Sequence, residues 1–368
     1  MHFKVKPNIF LKALTVVNGV VEKKNTIPVL QNIKIQASEN NIFLCASDMD
    51  LYATSYVNCE VIQPGCTTVP AQMLFDIIRK INDQDDIEIK LENNNINIKC
   101  QNSKYNLPCI NASEFPDIDN NEYDHNIEVD AEKFAKMIDK TRFAISNDET
   151  RYYLNGLYFH SRKINDKSEI CCVATDGHRL ALSNIDHDQD LAEFGIIIPK
   201  KSVNEIRRII DFDNKIKIEF SRVKIKISSQ QNTITSKLID GQFPNYNKIL
   251  PQNNSKISQI NKKDFYSCID RVSSVANDKH KSIKVTIENN KMDLEVTTND
   301  GSFAHEVLEI KYDNDKIVTG FNSRYLMDII SQIDNDVLTM KFDSNMSPTL
   351  IETDNVNYQF VIMPIRVN

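Results

Sequence analysis

Three stretches of this 368-residue chain follow a single pattern, and that repetition limits the architecture more than any other feature. VPAQMLFDIIRKINDQDDIEIKL begins at Val69, IPKKSVNEIRRIIDFDNKIKIEF at Ile198 and FNSRYLMDIISQIDNDVLTMKF at Phe321. Each reads as a short amphipathic helix running into an alternating strand. Leu74, Ile77, Ile78 and Ile81 keep the i, i+3, i+4, i+7 spacing of a buried helix stripe. Leu326, Ile329, Ile330 and Ile333 repeat it, and Val203, Ile206 and Ile210 give it with one position polar. Pro70 and Pro199 stand where the first helical turn tolerates a missing N–H.

Other landmarks move with the same step. CASD (45–48), VATD (173–176) and TTND (297–300) supply an S/T-x-D-type turn. Phe115-Pro116, Phe243-Pro244 and Met363-Pro364 close the three units, and Phe10, Phe134 and Phe265 anchor an opening helix in each. Runs such as IEIKL, IKIEF and VTIENNKMDLEV read as strands. The chain is therefore expected to be α+β, with three copies of a unit of about 125 residues, each holding two helices and several antiparallel strands. We place the boundaries at 1–124, 125–252 and 253–368, with short linkers at 118–126 and in PQNNSKISQI near 250–260.

Much common chemistry is missing. The two closest of the eight glycines stand at Gly177 and Gly195 or farther apart, which excludes G-x-G-x-x-G, the Walker A loop and the G-x-S-x-G elbow. No H-E-x-x-H or spaced Cys/His zinc set occurs. The eight cysteines form no C-x-x-C pair and read as buried, reduced thiols, with Cys171 and Cys172 on opposite faces of a strand. The first residues lack an apolar signal core, and no apolar run is long enough to span a membrane, so a cytoplasmic location is expected.

Net charge is −7, which by itself argues against a nucleic-acid binder. The charge is nevertheless sorted. Predicted helical segments 8–24, 71–82, 131–145, 199–211 and 262–281 are each net positive, and only 322–334 is net negative. Lys133, Lys136 and Lys140 recur on one helix face, opposite Phe134, Met137 and Ile138, while Lys201 and Arg208 lie one face away from the Val203–Ile206–Ile210 stripe. Basic helices in an acidic protein can meet a phosphate backbone without reading bases, while an acidic exterior repels stray DNA. Two other readings compete. Asp176 beside His178 could serve acid–base hydrolysis, and a monomeric three-domain scaffold that binds only proteins would account for the repeat but not for the basic helices.

RYYLNG (151–156), ATDGHRLAL (174–182), TSKLIDGQFPNY (235–246), the terminal VIMPIRVN, TIPVLQNI near the start and TTVPA (67–71) closely resemble the bacterial sliding clamp family, the β subunit of DNA polymerase III, end to end. The resemblance implies three tandem clamp domains, with two helices inside and antiparallel sheets outside each, dimerising head to tail into a six-domain ring. It implies a non-enzymatic processivity factor that encircles duplex DNA without sequence preference and needs no cofactor. Its partners would be a second copy of itself, the polymerase III α subunit, the clamp loader, and other polymerases and repair proteins carrying short peptide motifs.

Residue by residue, the resemblance implies a peptide pocket between the second and third domains. It comprises Leu154, Thr175, Gly177, His178, Arg179, Leu180, Pro244, Lys248, Ile249, Asn322, Tyr325, and Val361, Ile362, Met363, Pro364, Ile365 and Arg366 of the tail. Lys248 replaces the usual arginine and Asn368 extends the usual end. Lys24, Tyr152 and Tyr153 match residues near duplex DNA, although the adjoining NDET loop (147–150) is unusually acidic. Met73, Ile77, Tyr105 and Leu107 match one side of the ring seam, and Ser274 and Val275 the other, with Ser274 in place of an apolar residue.

Overall fold

The computed structural model describes every residue except 23–25, 83–84, 118–121, 211–214, 277–280, 354–356 and 368. The first repeat runs β1 (His2–Val5), α1 (Pro7–Asn18), β2 (Asn32–Ser38), β3 (Asn41–Ser47), β4 (Leu51–Asn58), β5 (Glu60–Gln63), β6 (Gly65–Pro70), α2 (Ala71–Lys80), β7 (Ile87–Glu92), β8 (Asn95–Cys100) and β9 (Ser103–Pro108). The second runs β10 (His125–Asp130), α3 (Ala131–Thr141), β11 (Gly156–Ile164), β12 (Lys167–Thr175), β13 (Arg179–His187), β14 (Gly195–Pro199), α4 (Lys200–Ile209), β15 (Lys215–Phe220), β16 (Lys224–Ser229) and β17 (Asn232–Lys237). The third runs β18 (Lys256–Asn261), α5 (Lys262–Ser273), β19 (Ser282–Glu288), β20 (Lys291–Thr297), β21 (Phe303–Glu309), β22 (Lys311–Tyr312), β23 (Ile317–Asn322), α6 (Ser323–Ser331), β24 (Val337–Phe342), β25 (Thr349–Glu352) and β26 (Tyr358–Ile362).

The six helices are shorter than the periodicity suggests. The apolar pattern continues into connecting segments, but α1 stops at Asn18 and α5 at Ser273. The linkers shrink too, because β10 begins within 118–126 and β18 within 250–260. The helix anchors Phe10, Phe134 and Phe265 are fully buried. So are Leu326, Ile329, Ile330 and Ile333, whereas Ile77 and Ile81 sit half-buried at the rim of their stripe. The S/T-x-D turns recur as expected: Asp48 Oδ1 accepts from the Asp50 and Leu51 amides, Asp176 Oδ1 from those of His178 and Arg179, and Asp300 Oδ1 from that of Ser302. The Thr298 hydroxyl and the Ser302 amide hold the Asp300 carboxyl down at about 2.

All eight cysteines are free thiols. Cys59, Cys66 and Cys109 are half-buried, so uniform burial does not hold. Burial pushes the Cys45 and Cys171 thiols up to about 12.

Each repeat contributes two four-strand groups, one built on its opening strand and one on the strands between its helices, and the groups join across repeats. Pairing is antiparallel across both inter-repeat junctions. The eight-stranded sheet β10-β15-β16-β17-β4-β3-β2-β6 joins the first and second repeats through β17 and β4. The nine-stranded sheet β14-β11-β12-β13-β26-β25-β24-β18-β22 joins the second and third through β13 and β26. The five-stranded sheet β5-β1-β7-β8-β9 and the four-stranded sheet β21-β20-β19-β23 have no such partner.

The chain forms two compact units, Met1–Ala135 with Ile198–Ile239, and Lys136–Ile197 with Asp240–Asn368. The middle repeat gives one sheet to each.

Candidate functional site

The turn between β12 and β13 is built from its own side chains. Thr175 Oγ1 donates to the Arg179 carbonyl at 2.6 Å and accepts from the Gly177 amide at 3.1 Å. Gly177 has φ +88°, a left-handed conformation that favours glycine, and a Cβ there would stand 2.6 Å from Arg151 Nη1. Both Asp176 oxygens are engaged, one by two backbone amides and the other by Arg179 Nε at 3.1 Å. The exposed His178 ring stacks at 6.1 Å on Tyr325. Asp176 thus holds a turn, and nothing here arranges it with His178 for proton transfer.

Arg179 is not an open handle for a ligand. Its side chain is only 9% exposed, because every face of the guanidinium is occupied. Nη1 reaches Asp328 Oδ2 at 2.5 Å, Nη2 reaches the Phe143 carbonyl at 2.9 Å, and the plane lies 5.0 Å from the Phe143 ring and 4.5 Å from that of Tyr325. Leu180, fully buried, pairs with Val361 on β26, and Arg179 with Ile362.

The tail leaves β26 through two backbone bonds. The Met363 amide donates to the His178 carbonyl and the Ile365 amide to the Gly320 carbonyl, each at 2.8 Å. A Cβ on Gly320 would come 2.3 Å from Val367 Cγ1, so the tail rests directly on glycine backbone. Pro364 is half-buried and Arg366 exposed, while Asn368 lies outside the described residues. Asn322 is the N-cap of α6, its Oδ1 accepting from the Arg324 and Tyr325 amides, which occupies the oxygen a ligand would use.

A second wall comes from other elements. Residues Glu149–Leu154 form a 3-10 turn capped by Asp148, which ends on buried Leu154. The hydroxyl of Thr150, then Arg151, holds the Asp148 carboxyl below the usual carboxylate range, so much of the acidity of the 147–150 loop is internally compensated. Tyr152 is exposed and packs edge-on to Tyr153 at 5.8 Å, with Gly241 against both. Pro244, Lys248 and Ile249 sit on the turn around residues Tyr246–Lys248, with Lys248 exposed and the other two half-buried.

The basic residues behave unequally. Lys133 is exposed and makes no ion pair among the described residues. Lys136 is exposed and pairs with Asp334 at 3.2 Å. Lys140 has to be withdrawn as a duplex contact: it is 5% exposed, its ammonium bonds the Gln332 carbonyl and Asp334 Oδ1, and it lies 4.8 Å over the Tyr358 ring. The i+7 position has rotated from the solvent face onto a neighbouring element. Lys201 pairs with Glu22 and Asp48, and Arg208 with Glu205, both keeping part of their surface open. Lys24 lies outside the described residues.

At the expected seam, Met73 is 54% exposed on α2, Ile77 and Tyr105 are half-buried, and Leu107 is buried on β9. Ser274 caps α5 and is exposed, with Val275 half-buried beside it. The sequence reading overlooked β21, an outer strand that exposes Phe303 and Val307.

Three family models cover nearly the whole chain: the DNA polymerase III beta subunit N-terminal domain at residues 1–119, its central domain at 128–245 and its C-terminal domain at 247–366. The Beta sliding clamp of Caulobacter vibrioides is 34% identical over 372 residues, covering all of both chains. That of Rickettsia felis is also 34% identical, over 99% of both. Among solved structures, a sliding clamp from Bartonella birtlesii bound to griselimycin matches with a TM-score of 0.95 at 35% identity, covering all of both chains. The C. crescentus clamp with PEG at a putative beta-motif tethering region gives 0.95 at 34%, covering 100% of this chain and 99% of that one. The chain belongs to the DNA polymerase III beta subunit family.

Proposed function

We propose that this protein is a DNA sliding clamp, a processivity factor that closes head to tail with a second copy around duplex DNA and tethers the replicative polymerase. The observation that carries the ring is the unfinished sheet pattern. At each internal junction, the strand that follows the S/T-x-D turn in one repeat pairs with the last hairpin strand of the next: β4 with β17, and β13 with β26. Two strands of these classes have no such partner, namely β21 and β9. Open edges invite pairing, and a heterologous contact that closes makes a ring.

The register of that seam follows from the two internal junctions. The last pairs before the turns are Ser47↔Tyr52, Thr175↔Leu180 and Thr297↔Phe303, so Ala53, Ala181 and Ala304 are equivalent. Ala53 faces Ile234 and Ala181 faces Phe360. The β8–β9 hairpin closes at Cys100↔Ser103 as β16–β17 closes at Ser229↔Asn232, which makes Tyr105 the counterpart of Ile234. Ala304 of one copy should therefore face Tyr105 of the other, a small residue opposite a large one for the third time.

The peptide pocket is read as the surface formed by Leu154, Thr175, Gly177, His178, Leu180, Pro244, Lys248, Ile249, Tyr325 and the tail, with Arg179 and Asn322 as its frame. We take it to be where a griselimycin-like ligand or a partner's short peptide binds, an apolar slot with few polar handles. Polymerase III α, the loader and repair proteins are the proposed partners. Duplex contact is assigned to Lys133, Lys136, Lys201, Arg208, Tyr152, Tyr153 and Lys24. The mechanism is topological and electrostatic, and no catalytic step is assigned.

Clamp loaded on a nicked circle should be retained, then lost when the circle is linearised. Equal retention on both forms would reject encirclement.

A further inference from the structure

Behind the turn that carries Pro244, Lys248 and Ile249 lies a column of four rings, three of them buried and Tyr158 half-buried. Phe243 stacks on Tyr158 at 4.8 Å and 4°, Tyr158 on His160 at 4.6 Å and 23°, and His160 lies 5.6 Å from Tyr246. Tyr158 is seated so tightly that a Cβ at Gly195 would come 2.4 Å from its hydroxyl. His160 is 6% exposed and Tyr246 4%.

A buried hydrogen bond joins two of these rings, and Arg162 also reaches the Tyr246 hydroxyl. The His160 Nδ1 lies 3.0 Å from the Ser161 carbonyl, which accepts and so fixes the proton on Nδ1. Nε2 is left as an acceptor, 3.0 Å from the Tyr246 hydroxyl, which donates. Tyr246 in turn organises the turn: its carbonyl accepts from the Ile249 amide at 2.9 Å and the Leu250 amide at 3.2 Å. The exposed Lys248 and half-buried Ile249 therefore depend on where Tyr246 is held.

We infer that His160 and Tyr246 are positioning residues of the peptide pocket: their buried hydrogen bond sets the place of the 244–249 turn, and through it ligand affinity, without either ring touching the ligand. This rests on the pocket reading above. Removing one partner strands a buried polar atom on the other, and the least costly relief is for the turn to shift.

The test uses the full-length protein with griselimycin as probe. Tyr246→Phe keeps the ring and removes the donor; His160→Phe keeps the stack and removes the acceptor. Each should weaken griselimycin binding about tenfold, speed hydrogen exchange of the 244–250 amides and leave the dimer mass unchanged. The double variant, which removes donor and acceptor of the ring-to-ring bond together, should bind no worse than either single one, and His160→Gln, whose amide oxygen can accept, should recover most of the affinity. Wild-type affinity in both single variants would overturn the inference even if they melt earlier, since that is what a merely structural role gives. Additive losses in the double variant would also overturn it. Failure of the wild-type protein to bind griselimycin would instead remove the pocket reading, and this inference with it.

Discussion

Arg179 on β13 places Nη1 2.5 Å from Asp328 Oδ2 on α6, so one guanidinium bonds the turn, the Phe143 carbonyl and a helix of the next repeat at once. A planar five-donor fork can do this and an ammonium cannot. Arg179→Lys should therefore fail nearly as badly as Arg179→Ala. We expect each to cost roughly 1.5–3 kcal/mol in denaturant unfolding, the range for hydrogen bonds to charged groups. A lysine variant as stable as the parent would show that charge, and not geometry, matters at this position.

Lys133 and Lys140 lie on the same helix but are expected to fail different assays. Lys133→Ala should reduce the salt dependence of duplex binding by about one unit of slope without altering stability. Lys140→Ala should leave the salt slope unchanged and lower the melting temperature, since it strips the Gln332 carbonyl and Asp334 of their buried partner. Binding titrations across a salt series, paired with thermal melts, separate the two.

That contrast marks where the sequence stopped being informative. The repeats, the turn aspartates and the helix anchors were legible because they depend on local periodicity and short-range hydrogen bonding, which each segment carries with it. Lys140 does not follow the helix pattern because Asp334 and Tyr358, both more than 190 positions away, decide which way its side chain turns. Arg179 looked like a ligand handle for the same reason: its partner Asp328 comes from another repeat. β21 was not legible either, because an edge strand is defined by what fails to pair with it.

Gly320 makes the tail's seat testable. Gly320→Val would drive a side chain into Val367 and the Ile365 carbonyl, displacing the tail without touching the seam. It should mimic deletion of Met363–Asn368: polymerase stimulation lost, dimer mass kept. If either change dissociates the dimer, the tail is structural and the pocket assignment fails.

Burial depresses the His160 pKa below its ordinary 6.5, so the folded state takes up that proton later than the unfolded state does. Its contribution to stability is complete above about pH 6.5 and is lost as pH falls toward the folded value. Thermal melts from pH 7.5 to 5 should therefore decline less steeply in His160→Phe than in the parent. Parallel curves would mean that the imidazole is not held neutral.

The seam register is the central claim, and a pair of cysteines tests it. Opposed residues of antiparallel strands have Cβ atoms about 4.5–5.5 Å apart, near the roughly 3.5–4.5 Å a disulfide spans. A chain carrying both Tyr105→Cys and Ala304→Cys, oxidised and run without reductant, should become a covalent dimer sealed at both seams, of twice 42.3 kDa. No cross-link beyond that of the parent's own eight thiols, or a ladder of open polymers, would contradict the closed two-copy ring.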